Sequence, residues 1–183
     1  MDLGDWILNF QVSIYSWVDN LPSRAWAGPI RLLGRVLVFV IFQITNLVAQ
    51  LRWPFSALAR MIRSFWPIPA GYPIPVRDRG LSRLLQQDKP VLVDFWTEWC
   101  GPCVAMEGIL KRFAKTNQSR IIVAKVDATI NPKLTKHFNV MGYPTLIVFI
   151  DGKEINRYTG ALTYKWLDQF MEYSLNQAAT AGT

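Results

Sequence analysis

The sequence predicts an α/β domain, a mixed central sheet with helices on both faces, preceded by an N-terminal all-α segment. Three observations lead there. Composition changes near residue 76: five of the eight tryptophans (Trp6, Trp17, Trp26, Trp53, Trp66) precede it, and the first lysine, Lys89, follows it. Before the change, apolar residues recur with helical spacing. After it, buried-strand patterns alternate with helical ones and close on a hairpin signal, the order expected of a mixed sheet covered on both sides.

Three helices are expected in the first part. Over residues 5–21, Trp6, Ile7, Phe10, Ile14, Trp17, Val18 and Leu21 share one face, and Leu21-Pro22 ends the run. Residues 51–66 repeat the arrangement, with Leu51, Phe55, Leu58 and Phe65 on one side and Arg52, Arg60 and Arg63 on the other. Aromatic and arginine faces of this kind suit the headgroup boundary of a bilayer. Between them lies an apolar helix over about 30–51, with sixteen uncharged residues between Arg35 and Arg52. At about 1.5 Å per residue these cover roughly 24 Å, short of a hydrocarbon core of about 30 Å. Snorkelling arginines and Leu32, Leu33 and Gly34 extend it. Gln43, Asn46 and Gln50 form a polar stripe that in a membrane would face another helix. The expectation is a membrane-associated segment, residues 1–66, as one short span or as in-plane helices. A soluble helical bundle is the alternative. Arginines near the apolar run are balanced, and Arg77 and Arg79 tilt the orientation toward a cytoplasmic second half.

Residues 67–79 hold much of WPIPAGYPIPV, whose prolines keep the chain extended, and read as a linker. Residues 80–177 then read as one domain. GLSRLLQQD gives a short helix, KPVLVDFW a buried strand, 103–117 a helix, RIIVAKVDA a strand and NPKLTKHFNV a short helix. TLIVFID and KEINRYTG follow as strands joined at Asp151-Gly152, and TYKWLDQFMEYSL closes as an amphipathic helix. Residues 178–183 read as a disordered tail.

Charge narrows the partners. The net charge of +7 divides into +3 for residues 1–76 (six Arg, three Asp) and +4 for residues 77–183 (fourteen Lys/Arg, ten Asp/Glu). Neither part has a dense basic run, which argues against nucleic acid. With two cysteines and one histidine, His137, the chain lacks both a disulfide framework and the ligands of a Cys/His zinc site. His137 reads as a surface helix residue.

Both cysteines fall in DFWTEWCGPC, residues 94–103, where a strand turns into a helix. Open N–H groups and the dipole at a helix start favour a thiolate, the nucleophilic form. Cys100 comes first and is expected to be exposed, with Cys103 one turn inside. Pro102 suits the first helical position. A disulfide across so short a loop removes little unfolded-state entropy, so it serves exchange better than stapling.

At this point the sequence resembles the thioredoxin family. Trp99-Cys100-Gly101-Pro102-Cys103 is the family's active-site pentapeptide, and GYPT (142–145), the lysine of VAKVD (Lys125), Gly152 and Gly160 follow in the family's order. The resemblance covers about residues 80–177, with the family's opening strand short or missing. It implies the thioredoxin fold and a redox-active Cys100–Cys103 disulfide as the only redox centre, with no separate cofactor and no metal. By resemblance, Cys100 attacks a target disulfide and Cys103 resolves the mixed disulfide. Asp94 is the buried acid beneath the pair, Lys125 the lysine beside it, and Pro144 the cis-proline against the disulfide. Trp99, Gly101, Pro102, Gly142, Tyr143 and Gly160 match the substrate-binding surface. Val104, Gly108 and Tyr143 depart from the usual lysine, proline and isoleucine, and Tyr143 bears on partner choice.

The expected function is a membrane-associated thiol–disulfide oxidoreductase that reduces disulfides of membrane-proximal proteins, with electrons from a thiol reductant. The alternative is a structural or assembly subunit of a membrane complex, docked through residues 1–66.

Overall fold

The computed structural model describes residues 6, 8–10, 12–14, 27–63 and 71–181. Those of residues 6–14 that it describes are helical, and Trp6 stacks on Phe10 with ring centroids 5.4 Å apart. The residue buried there is Leu8, which lies outside the expected apolar stripe, whereas Trp6 and Phe10 of that stripe are exposed. The Leu21-Pro22 stop lies outside the described residues, as do residues 67–70 of the expected linker.

Helix α1, Ala27–Arg63, is one element of 37 residues where two were expected, around 30–51 and 51–66. Among the described residues no helix is long and apolar enough to cross a membrane. This overturns the membrane location expected for residues 1–66, and with it the orientation toward the cytoplasm. Arg31, Arg35, Arg52, Arg60 and Arg63 recur through α1, and Gln43, Asn46 and Gln50 break the apolar run between them. Of the polar stripe, Asn46 meets the start of another helix of this chain, at Gly101.

The second part is a five-stranded sheet in the order β1-β3-β2-β4-β5. Its strands are β1 Ile74–Pro75, β2 Val91–Trp96, β3 Ile122–Asp127, β4 Thr145–Ile150 and β5 Lys153–Thr159. β1, β3 and β2 run parallel, whereas β4 is antiparallel to β2 and β5 to β4. The strand β1 forms inside the stretch expected to be linker. It sits at the sheet edge, where a proline without an N–H is tolerated, and Val76 N–H donates to Lys125 O at 2.9 Å. Asp151 and Gly152 both have positive φ, 51° and 73°, as a two-residue hairpin turn requires.

Helices cover both faces: α2 Asp78–Leu84, α3 Gly101–Thr116, α4 Pro132–His137 and α5 Tyr164–Ala181. Strand side chains alternate between two cores, as a period of two dictates. Leu92, Val123, Leu146 and Val148 join Met106, Ile109, Leu110 and Phe113 of α3 and Leu167 and Met171 of α5. Leu8 belongs to this cluster. Val91, Val93, Phe95, Ala124, Val126, Ile147 and Phe149 pack with Leu81 of α2 and Leu134 of α4 on the other side. This burial on two faces explains why VLVDFW shows no polar alternation. Helix α5 runs to Ala181, so residues 178–181, expected to be disordered, are its last turn. His137 ends α4 and is exposed, as expected.

Candidate active site

The end of β2 delivers the chain to the start of α3, and the two cysteines occupy that turn. They form a disulfide with their Cα atoms 5.3 Å apart. Cys100 is the N-cap of α3 and its Sγ accepts from Cys103 N–H at 3.2 Å. An open donor of the helix start is thus already aimed at the Cys100 sulfur. Pro102 stands one position further in than expected, because the helix begins at Gly101.

Cys100 is buried, 6% exposed, where the sequence suggested exposure. The cause is α1. Asn46 Oδ1 accepts from Gly101 N–H at 2.9 Å, and the α1 backbone lies so close that a Cβ on Gly101 would come within 2.8 Å of Asn46 N and Thr45 C. Only glycine fits beneath this helix. Two clefts flank the contact. One, about 510 Å³, lies among Leu8, Phe42, Pro144, Gly160 and Trp166. The other, about 690 Å³, reaches Cys100 between Gln43, Gln50, Trp99 and Tyr143.

Opposite α1, the Tyr143–Pro144 peptide is cis and Tyr143 O lies 3.5 Å from Cys100 Sγ. Trp99 and Tyr143 meet edge to face, with ring centroids 6.0 Å apart. Gly160 N–H donates to Pro144 O at 2.8 Å, and its φ of 129° explains the glycine. Thr145 Oγ1 donates to Gly142 O at 2.8 Å, tying the loop before the cis bond to β4.

Asp94 is paired in register with Lys125 across β2 and β3, and its Oδ2 lies 3.9 Å from Lys125 Nζ. Lys125 also sits over the Trp96 ring, 4.3 Å from its centroid. Burial raises the Asp94 carboxyl to about 6, Lys125 pulls it down, and Glu107 pushes it up. Asp94 Oδ1 and Thr97 Oγ1 are buried without a hydrogen-bond partner. Such a carboxyl can take up a proton near neutral pH. Among the described residues no group of three or more His, Cys, Asp or Glu could hold a metal ion.

The family model described as Thioredoxin matches residues 74–173, more than half of the chain. The chain belongs to the thioredoxin family. It is a thioredoxin-like disulfide oxidoreductase working through the redox-active Cys100–Cys103 disulfide. Its thioredoxin domain is 42% identical over 83 residues to the thioredoxin of Alicyclobacillus acidocaldarius, covering 45% of this chain and 79% of that one. It is 44% identical over 89 residues to that of Mycobacterium bovis, covering 48% of this chain and 77% of that one. A bifunctional thioredoxin reductase/thioredoxin of Mycobacterium leprae matches at 40% over 93 residues, 50% of this chain and 20% of that protein. Among solved structures, a mutant thioredoxin from Halobacterium salinarum covers 60% of this chain and 96% of its own, with 29% identity and a TM-score of 0.53. The match begins at residue 74, so the short β1 belongs to the thioredoxin domain.

Of the residues singled out from the sequence, Trp99, Gly101, Pro102 and Tyr143 lie beside the disulfide, Pro144 and Gly160 line the adjoining cleft, and Asp94 and Lys125 pair on the neighbouring strands β2 and β3. Sequence reasoning missed the contribution of α1. The polar stripe was the available signal, but it does not identify Gly101 as the partner of Asn46.

Proposed function

We propose that the chain reduces disulfide bonds of partner proteins, with Cys100 as the attacking thiolate. In the first step Cys100 Sγ bonds to one target sulfur, the target disulfide breaks, and the leaving thiolate takes a proton. Cys103, deprotonated, then attacks Cys100 Sγ, re-forming the Cys100–Cys103 disulfide and releasing the second target thiol. Two electrons pass from the dithiol to the target. Asp94 accepts the Cys103 proton, and Lys125 moderates its affinity for that proton. The backbone at Tyr143, beside cis-Pro144, pairs with the target chain, while Trp99, Gly101, Pro102, Gly142 and Gly160 shape the surface it lies on. A thiol reductant restores the dithiol. The reductase joined to a thioredoxin in the M. leprae relative suggests that donor's class.

The observation that carries this reading is the disulfide at the start of α3 with the cis-Tyr143–Pro144 carbonyl 3.5 Å from Cys100 Sγ. Trapping tests it. Cys103→Ser leaves Cys100 able to form a mixed disulfide that nothing resolves. Discrete adducts released by reductant, and absent when Cys100→Ser is added, are the expected outcome. Absence of any adduct would overturn the reading.

A further inference from the structure

The contact between Asn46 and Gly101 joins segments 55 residues apart at the nucleophile itself. It is also chemically specific. Gly101 N–H is one of the unpaired donors at the start of α3, next to the one that Cys100 Sγ already uses. In the disulfide state the sulfur is neutral, and Gly101 N–H is free to pair with a carboxamide oxygen. On reduction Cys100 ionises to a thiolate, held by Cys103 N–H and by the positive field of the helix start, to which Gly101 N–H contributes. The Asn46 amide oxygen, bound to Gly101 N–H, offsets part of that field and so opposes the new negative charge.

We propose that Asn46 is a positioning residue for the exchange reaction. By accepting Gly101 N–H it holds α1 over the oxidised site, and it yields when Cys100 ionises. Thus α1 covers the disulfide and opens over the dithiol. By linkage, a cover that favours the disulfide must also make the dithiol a stronger reductant. Three observations support the role. The α1 backbone approaches Gly101 so closely that no other residue fits there. Asn46 lies in the middle of the polar stripe on an otherwise apolar stretch. Cys100 and the cis-proline form a face that a target chain must reach, and α1 lies across it. The side chains turned toward Cys100 from α1, Gln43, Asn46 and Gln50, are uncharged. Asp94, Lys125 and Glu107, on β2, β3 and α3, are unchanged in the variants below.

The proposal rests on the exchange reading, and the experiment separates the two. The full chain is equilibrated with dithiothreitol, which transfers two electrons to Cys100–Cys103 and leaves as its cyclic disulfide. Asn46→Ala is expected to shift the equilibrium toward the reduced protein by about two- to tenfold, the worth of one hydrogen bond. The pH profile of Cys100 alkylation should move to lower pH. Asn46→Asp is expected to shift both in the opposite direction, because its carboxylate binds Gly101 N–H more strongly and repels the thiolate. If both variants match the parent chain, or both shift the same way as simple loss of packing would dictate, the proposal fails while the exchange reading stands. A parent chain that never equilibrates with dithiothreitol defeats the exchange reading itself.

Discussion

Asp94 holds the least comfortable carboxyl of the thioredoxin domain. Burial lifts it from 3.8 to about 6, with Oδ1 unpartnered and Lys125 3.9 Å from Oδ2. Between those two values the folded state binds more protons than the unfolded one, so stability falls as pH rises through this window and levels off above about 6. At 1.36 kcal/mol per unit the loss is about 3 kcal/mol. Urea unfolding from pH 4 to 7.5 should show this decline, and Asp94→Asn should remove most of it. The same variant should slow resolution of the mixed disulfide on the order of 10- to 100-fold, read by quenched-flow trapping, because the proposed mechanism gives the Cys103 proton to Asp94. Lys125→Met has the opposite signature on the carboxyl. Without the ammonium, Asp94 should titrate above about 6, and isotope-edited infrared or NMR titration would detect the change. A lower titration point in that variant would contradict the assignment of Lys125 as the group that holds the carboxyl down.

At the level of elements, what local pattern could carry was legible. The alternation of VLVDFW and TLIVFI between two cores, the Asp151-Gly152 turn and the α3 stripe of Met106, Ile109, Leu110 and Phe113 all depend on spacing within a few residues. Leu110→Ala, at a fully buried position of that stripe, should cost about 2–5 kcal/mol in chemical denaturation. Features decided by distant partners were not legible. The strand β1 hides in a proline-rich stretch because its pairing comes from β3, and only an edge position lets Pro75 take part. Gly160 was found through resemblance, and its reason is structural: a φ of 129° and an N–H given to Pro144 O. Gly160→Ala forces a Cβ into that conformation and should destabilise the domain by about 1–3 kcal/mol, measured as a lower denaturation midpoint.

For the molecule as a whole, the unforeseen feature is where α1 lies. Its period identified a helix, and nothing in the period indicated what the helix would cover. Apolarity alone suggested lipid, yet Asn46 meets Gly101, and Thr45 and Phe42 line a cleft with Pro144 and Gly160. Apart from Leu8, both cores are built from residues 74–175. A fragment beginning at residue 71 should therefore fold cooperatively with its disulfide in place. Its active site would lack the cover that leaves Cys100 6% exposed in the full chain. When access requires opening, the observed rate scales with the open fraction. Reduction of the oxidised fragment by a bulky protein dithiol should then be at least about threefold faster than that of the full chain. A small thiol entering by the cleft between Trp99 and Gln50 should show a lesser difference. Equal rates with the bulky reductant would mean that α1 leaves the face open in solution, and the burial of Cys100 would then have no kinetic consequence.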